Sequence, residues 1–211
     1  MENFIKRKDR FEFFESFENP LLNITFRLET PDFLSYCKAH AFPPFHFFLF
    51  HLFQSLSQID NFRYRIFQKQ VIKIDDYVAS YTAMGPDNLF NYTRFKNSSD
   101  LREFIRRSVE AKKEVETSHE LKNTGVELPE RELKNYVFIT SLPWLDFTAI
   151  EHPVYKHKSA DIPAIAWGKF TVKEGILSMP FAVQAHHGFV DAYHIHLLGE
   201  KIKANITNTI G

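Results

Sequence analysis

The stretch PPFHFFLFHLFQSLSQ, residues 43–58, spaces Phe45, Leu49, Leu52, Phe53 and Leu56 three and four apart and predicts a largely buried helix. A shorter helix is expected over 31–40 (PDFLSYCKAH), where Pro31 and Asp32 suit a first turn. FRYRIF at 62–67 alternates aromatic or aliphatic with basic residues, and KQVIKI follows, a pattern that predicts a hairpin. YVASYTAM (77–84), the turn GPDN and LFNYTRF (89–95) predict two more strands. Asp100 and Glu103 stand at capping-box spacing before an amphipathic helix reaching to about residue 118. KNTGVELPEREL reads as a polar loop. Strands are expected at 136–142, 162–173 and 176–184, the last two joined by a KEG turn, and a helix from about 190 to 207 closes the chain. Strands interleaved irregularly with a few helices argue for an α+β layered sandwich and against a doubly wound parallel sheet.

No repeat, low-complexity tract or linker divides the chain, so residues 1–211 read as one domain, a length that one core sustains. Lysine plus arginine equals aspartate plus glutamate at 26 each, which leaves no basic field to hold nucleic acid or an anionic membrane. No apolar run reaches about 18 residues, and MENFIKRKDRFEFF lacks the apolar core of a signal peptide, so a cytoplasmic protein is expected. The single cysteine, Cys37, excludes an intramolecular disulfide framework and a multi-cysteine zinc site, and reads as a small buried apolar residue. The chain also carries 23 phenylalanines. Each aromatic ring buries on the order of 150–250 Å² when interior, so this load belongs either to an ordinary core or partly to subunit interfaces or an apolar pocket.

The densest cluster of titratable groups is HHGFVDAYHIH, residues 186–196. A metal cage fits it poorly. His186 and His187 are adjacent, His194 and His196 are two apart, and on a helix neither pair shares a face. His187 and Asp191 are four apart, but one imidazole and one carboxylate make an incomplete donor set. Proton transfer asks for less, since an imidazole with an ordinary pKa of about 6.5 takes a proton from a hydroxyl near pH 7 once it is oriented. The run follows a strand (PFAVQA) and precedes a helix, and Gly188 allows a sharp turn between them. Asp191 reads either as a partner in that chemistry or as a plain carboxylate at a helix start. His186 reads as a packed, hydrogen-bonded ring, and His194 and His196 as helix-surface residues.

The pattern HHxxxD after a strand ending in V-Q resembles the HHxxxDG signature of coenzyme A-dependent acyltransferases. RKDRFEFF resembles the opening of the chloramphenicol acetyltransferase family, and ITSLPWLDF resembles its strand carrying a hydroxyl residue followed by L-P-W. The three motifs fall in the family's order and cover nearly the whole chain. The resemblance implies a two-layer sandwich of a mixed β-sheet with helices packed on one face. It implies an acetyltransferase that moves an acetyl group from acetyl-CoA to a hydroxyl of chloramphenicol or a related small acceptor, without a metal and without an acyl-enzyme. His187 would then be the general base, Thr140 the oxyanion donor, and Arg7 with Asp191 an ion pair that fixes the site. Trp144 and Phe170 would lie against coenzyme A, and Phe14, Phe90 and Tyr92 would line the acceptor pocket, each also readable as plain core. The family's sites lie between subunits of a homotrimer, which would employ surplus aromatics at interfaces. Four positions depart from its pattern. Ala192 replaces a glycine, Thr140 a serine, Ala166 a second hydroxyl residue, and Tyr92 a small acceptor-pocket residue. Two other readings are a dihydrolipoyl acyltransferase core, which shares the fold, and a non-catalytic ligand-binding relative.

Overall fold

The computed structural model describes residues 1–154 and 160–211. Two short helices, α1 (Glu2–Ile5) and α2 (Lys8–Glu15), lead into the long strand β1 (Leu21–Pro31). Next come α3 (Leu34–Ala39), α4 (Pro44–Ser57), the strands β2 (Tyr64–Phe67) and β3 (Gln70–Lys73), and β4 (Val78–Met84). They are followed by β5 (Phe90–Tyr92), β6 (Phe95–Lys96), α5 (Leu101–Glu116), α6 (Glu130–Leu133) and β7 (Tyr136–Ser141). β8 (Ala164–Trp167), β9 (Thr171–Lys173), β10 (Ile176–His186) and α7 (Ala192–Ile210) complete the chain.

The main sheet has the order β1-β10-β8-β7-β4-β5, with β6 also on β4 and β9 on β10, while β2 and β3 pair apart as a hairpin. β4, β7 and β8 run parallel, and the other pairings are antiparallel. Parallel neighbours need a crossover. That from β4 to β7 carries α5 over one face, and that from β7 to β8 crosses the other face. There Arg27 pairs with Asp146 at 2.5 Å, Asn23 donates to Ile150 O at 2.6 Å, and Gln184 exchanges two hydrogen bonds with the His152 backbone.

The helical layer is built from aromatic contacts. α4 is buried on nearly every side, as an almost uninterrupted apolar helix must be. Its Phe48 ring packs 5.0 Å from Trp167 of β8, and Phe53 packs 5.8 Å from Tyr77. Truncating such a ring to alanine costs about 3–5 kcal/mol. On α5, Asp100 caps the first turn by accepting the Glu103 N–H at 2.7 Å, and Phe104 packs between Phe50 and Phe95. α7 lies over β1, with Gly199 facing Leu28 and Phe26. α2 is held by Phe11, which stacks on Phe189 at 5.1 Å.

The result is the two-layer α+β sandwich with helices on one face, with local corrections. β1 and the two N-terminal helices were not anticipated. The helix expected at 31–40 shortens to α3, because Asp32 instead accepts the Leu34 N–H in a tight turn. The loop at 122–133 ends in the single turn of α6. The strand expected at 162–173 is broken. Trp167 faces Phe181 and Thr171 faces Ser178, so residues 168–170 oppose only 179 and 180, which is a β-bulge. Gly168 sits in it because a Cβ would collide with Leu145 O and Pro180. The KEG turn forms as read, with Glu174 and Gly175 both at positive φ, as a two-residue type I′ connection requires.

His46 and His51 of α4 are both buried. His46 meets Ser108 Oγ at 2.7 Å through Nδ1, whereas neither ring nitrogen of His51 finds a hydrogen-bond partner among the described residues. Burial holds both pKa values at about 4, well below the ordinary 6.5. The unfolded chain therefore takes up protons between about pH 6.5 and 4 that the folded chain does not, and stability falls as pH drops through that window. The expected loss is about 2 kcal/mol per histidine between pH 7 and 5. Urea melts at the two pH values should show it, and His51→Leu should reduce the loss by about one histidine's share. Equal pH dependence in the two proteins would refute this.

Candidate active site

β10 leaves the sheet at His186, and residues 187–191 carry the chain into α7. At Gly188 a Cβ would stand 2.9 Å from the Phe11 Cα and 3.0 Å from the His186 ring, so the turn has room only for glycine. Asp191 is the N-cap of α7, and its N–H donates to His194 Nδ1 at 3.0 Å. His194 is thus a half-buried cap and not the surface residue expected from the sequence. Burial lowers its pKa, and a neutral ring suits its acceptor role. His196 is exposed, as expected.

Arg7, at the start of α2, reaches across 184 positions to Asp191 and binds both carboxylate oxygens, Nη1 to Oδ2 at 2.6 Å and Nη2 to Oδ1 at 2.9 Å. The same guanidinium donates to Gly188 O at 3.3 Å and His187 O at 3.4 Å. Four contacts from one planar cation fix both the carboxylate and the turn before it. Arg7's hydrogen bonds hold the Asp191 carboxyl below the usual carboxylate range.

His187 sits inside this frame. Its N–H donates to Pro20 O at 2.8 Å and its carbonyl accepts from Arg7. The imidazole stacks on Phe14 with ring centroids 3.9 Å apart and planes 19° apart. Its Nδ1 is buried and lies 3.4 Å from Asp191 Oδ1, close enough for charge interaction but not aligned for a hydrogen bond. About a third of the side chain is exposed, which leaves one edge of the ring open to a reactant. Phe14 itself packs edge-to-face with Phe13 and Phe17, both of them exposed.

The remaining candidates lie elsewhere. Thr140 is half-buried near the end of β7 and stands in one cross-strand row with Ala166 and Ala182. His187 is five residues beyond Ala182, just past the end of β10, and two strands across. At about 3.3 Å per residue and 4.8 Å per strand, the two residues are on the order of 19 Å apart in one chain. Trp144, just beyond β7, is 61% exposed. Phe170 lies in the bulge between β8 and β9 and packs against Phe33 and Phe48. Phe90 and Tyr92 meet edge-to-face on β5, with Phe90 exposed. The structure therefore brings together Arg7, Phe14, His187 and Asp191, and sets Thr140, Trp144, Phe170, Phe90 and Tyr92 apart from them.

Reading the sequence missed Glu15, whose carboxylate lies 3.0 Å from His186 Nε2, and Pro20, whose carbonyl pins His187. Asn19-Pro20 was a readable turn signal. Nothing local marked Glu15, 171 positions from its partner.

The mixed sheet with helices on one face resembles the fold of a solved chloramphenicol acetyltransferase. That structure superposes with a TM-score of 0.84 at 27% identity, covering 95% of each chain. The chloramphenicol acetyltransferase family model matches residues 2–202, and the chain belongs to that family. The Escherichia coli chloramphenicol acetyltransferase is 23% identical over 193 residues, 90% of this chain and 84% of the relative. That of Bacillus pumilus is 41% identical over a shorter stretch of 61 residues, 29% of this chain and 28% of the relative. Family and fold together support an acetyl-CoA acetyltransferase. Among the described residues no helix is long and apolar enough to cross a membrane.

The side chain of Arg7 is 15% exposed and that of Asp191 39%, so solvent screens the pair partly. Its coupling should fall between that of a surface pair and a buried one, about 1–2 kcal/mol. A double-mutant cycle with Arg7→Met and Asp191→Asn in urea melts at pH 7 should return that value. Because the Asp191 pKa is depressed in the fold, the coupling should fade as pH drops below the ordinary value of about 3.8. Additive single-mutant losses at pH 7 would exclude a working pair.

Proposed function

We propose that the protein is an acetyl-CoA-dependent O-acetyltransferase in which His187 deprotonates the hydroxyl of a small acceptor. The carrying observation is the state of His187, pinned at both backbone ends, held face-on by Phe14, and turned with Nδ1 toward Asp191. Nε2 is then the nitrogen left for the acceptor proton. As that proton moves to Nε2, the acceptor oxygen attacks the thioester carbonyl, and a tetrahedral oxyanion forms. Collapse breaks the carbon–sulfur bond, and the departing thiolate takes the proton back from the imidazolium, which restores His187. Asp191 moves no proton, because its carboxylate is committed to Arg7. No acyl-enzyme is required, since the side chains beside His187 among the described residues, Phe14 and the Arg7-bound Asp191, offer no free nucleophile.

The oxyanion needs a donor within hydrogen-bond reach. Thr140 of the same chain, on the order of 19 Å away, does not supply it. If Thr140 is that donor, it comes from a second copy, and the reaction centre forms where His187 of one copy faces Thr140 of another. This supports the homotrimer that the family resemblance implies, with Trp144 and Phe170 on the coenzyme A side and Phe14, Phe90 and Tyr92 around the acceptor. The RKDRFEFF and LPW runs and the family match favour this reading over a dihydrolipoyl acyltransferase core. The intact Arg7, His187 and Asp191 set favours it over a non-catalytic relative.

Thiol release from acetyl-CoA across a panel of hydroxyl acceptors, chloramphenicol included, tests the activity. His187→Ala should lower turnover by at least about 10²-fold, the lower end of general-base effects. Near-normal turnover in that variant would sink the mechanism. Shared sites have a separate test. His187→Ala and Thr140→Ala proteins, each nearly inactive alone, should regain a fraction of wild-type activity when unfolded and refolded together, because some interfaces then pair two intact residues. No recovery from mixed oligomers would place both residues' work within one chain.

A further inference from the structure

We propose that Glu15 is a positioning residue, which acts through the His186 ring to fix the peptide unit that carries the base His187. The His186 side chain is 1% exposed and is wedged between Phe11 and Phe189, with ring centroids 5.7 and 5.0 Å away. Both of its nitrogens are in use. Nδ1 accepts the Gly188 N–H at 3.1 Å, and Nε2 faces Glu15 Oε2 at 3.0 Å.

A neutral imidazole has one donor and one acceptor, so these two contacts dictate the tautomer. With the hydrogen on Nε2, His186 donates to the Glu15 carboxylate and accepts from Gly188. With the hydrogen on Nδ1, an N–H would face the Gly188 N–H and a lone pair would face the carboxylate, and both contacts would be lost. The imidazolium would keep the Glu15 contact and lose Gly188. Burial works against that charged form and outweighs the pull of Glu15, so the His186 pKa is lowered. Glu15, 48% exposed, keeps its carboxylate in partial contact with water while selecting the tautomer.

The consequence lies one peptide away. The unit joining His187 to Gly188 is held at its carbonyl by Arg7 Nη2 and at its N–H by His186 Nδ1. Arg7 alone grips the carbonyl end. Without the His186 acceptor the N–H end is left buried and unpaired, and the peptide is free to rotate with the His187 ring. A displacement of about 1 Å at a reacting group can cost on the order of 10²-fold in rate. Glu15 also follows Phe14 directly in α2, so one short helix supplies the stacking face for His187, the anchor for His186 and, at its start, Arg7.

The test has two arms, and only the kinetic one rests on the acyltransferase reading. In protein labelled with ¹⁵N at histidine, ring nitrogen–proton correlations should show His186 as the Nε2–H tautomer. Glu15→Leu should populate the Nδ1–H form or protonate the ring. Glu15→Gln, whose amide oxygen still accepts from Nε2–H, should keep the wild-type pattern. Kinetically, Glu15→Leu should lower kcat about tenfold while the KM for acetyl-CoA stays within about twofold, and Glu15→Gln should restore kcat. Persistence of the Nε2–H tautomer in Glu15→Leu overturns the proposal, as does a loss of kcat that glutamine fails to rescue. If the wild-type protein shows no acetyl transfer, the acyltransferase reading fails, and the tautomer comparison still decides the link between Glu15 and His186.

Discussion

The guanidinium of Arg7 is the constraint on which the site depends. It binds the two oxygens of Asp191 and the carbonyls of His187 and Gly188, so one side chain from the start of the fold sets the geometry of a turn near its end. A lysine could not replace it, because a single ammonium lacks the planar fork that reaches a carboxylate and two carbonyls together. The grip holds only if α2 stays docked. That docking comes from Phe11 on Phe189 and from Phe4 against Tyr64 and Phe11, apolar contacts that ask nothing of the reacting groups. Hydrophobic packing thus places the helix, and the ion pair then places the turn.

The sheet imposes the complementary constraint. Once β10 lies between β1 and β8, with β7 beyond β8, the register that puts Thr140 beside Ala166 and Ala182 also puts it far from His187. No rotamer closes a gap of about 19 Å. Any chemistry that needs both side chains at one reacting centre therefore needs more than one chain. The exposed Phe13, Phe17 and Trp144 are then understandable. Large apolar side chains left open on a surface mark it as one suited to burial against another molecule.

Elements with a strong internal period were legible. The apolar residues of α4 repeat every three to four positions, and α5 adds a capping pair at Asp100 and Glu103, so local signals sufficed for both. β1 was legible too, since Leu22, Ile24, Phe26 and Leu28 alternate strictly after the turn signal Asn19-Pro20. The break at Gly168 was not readable, because the collision that requires glycine comes from Leu145 and Pro180, remote in sequence. At the site, the cluster 186–196 marked itself by density. Its pairing with Arg7 came from resemblance alone, since nothing about two charges 184 positions apart says that they touch. His194 was misread for a related reason. At the first turn of a helix a side chain can face its own backbone, and here it caps Asp191.

The two adjacent histidines show how far residue type underdetermines role. His186 and His187 share a backbone step and both meet α2, His186 beside Phe11 and His187 against Phe14, yet the first ends β10 sealed from solvent and the second stands one residue past the strand, partly open. The His186 ring loses water on all sides and becomes a fixed, neutral connector with both nitrogens committed. The His187 ring keeps an open edge and, among the described residues, has Asp191 as its carboxylate neighbour. An imidazole serves as a strut when both of its nitrogens are spoken for and as a base when one is not. In this chain packing decides which nitrogens are committed: the His186 side chain is 1% exposed at the end of β10, and that of His187, one residue on, is 30% exposed.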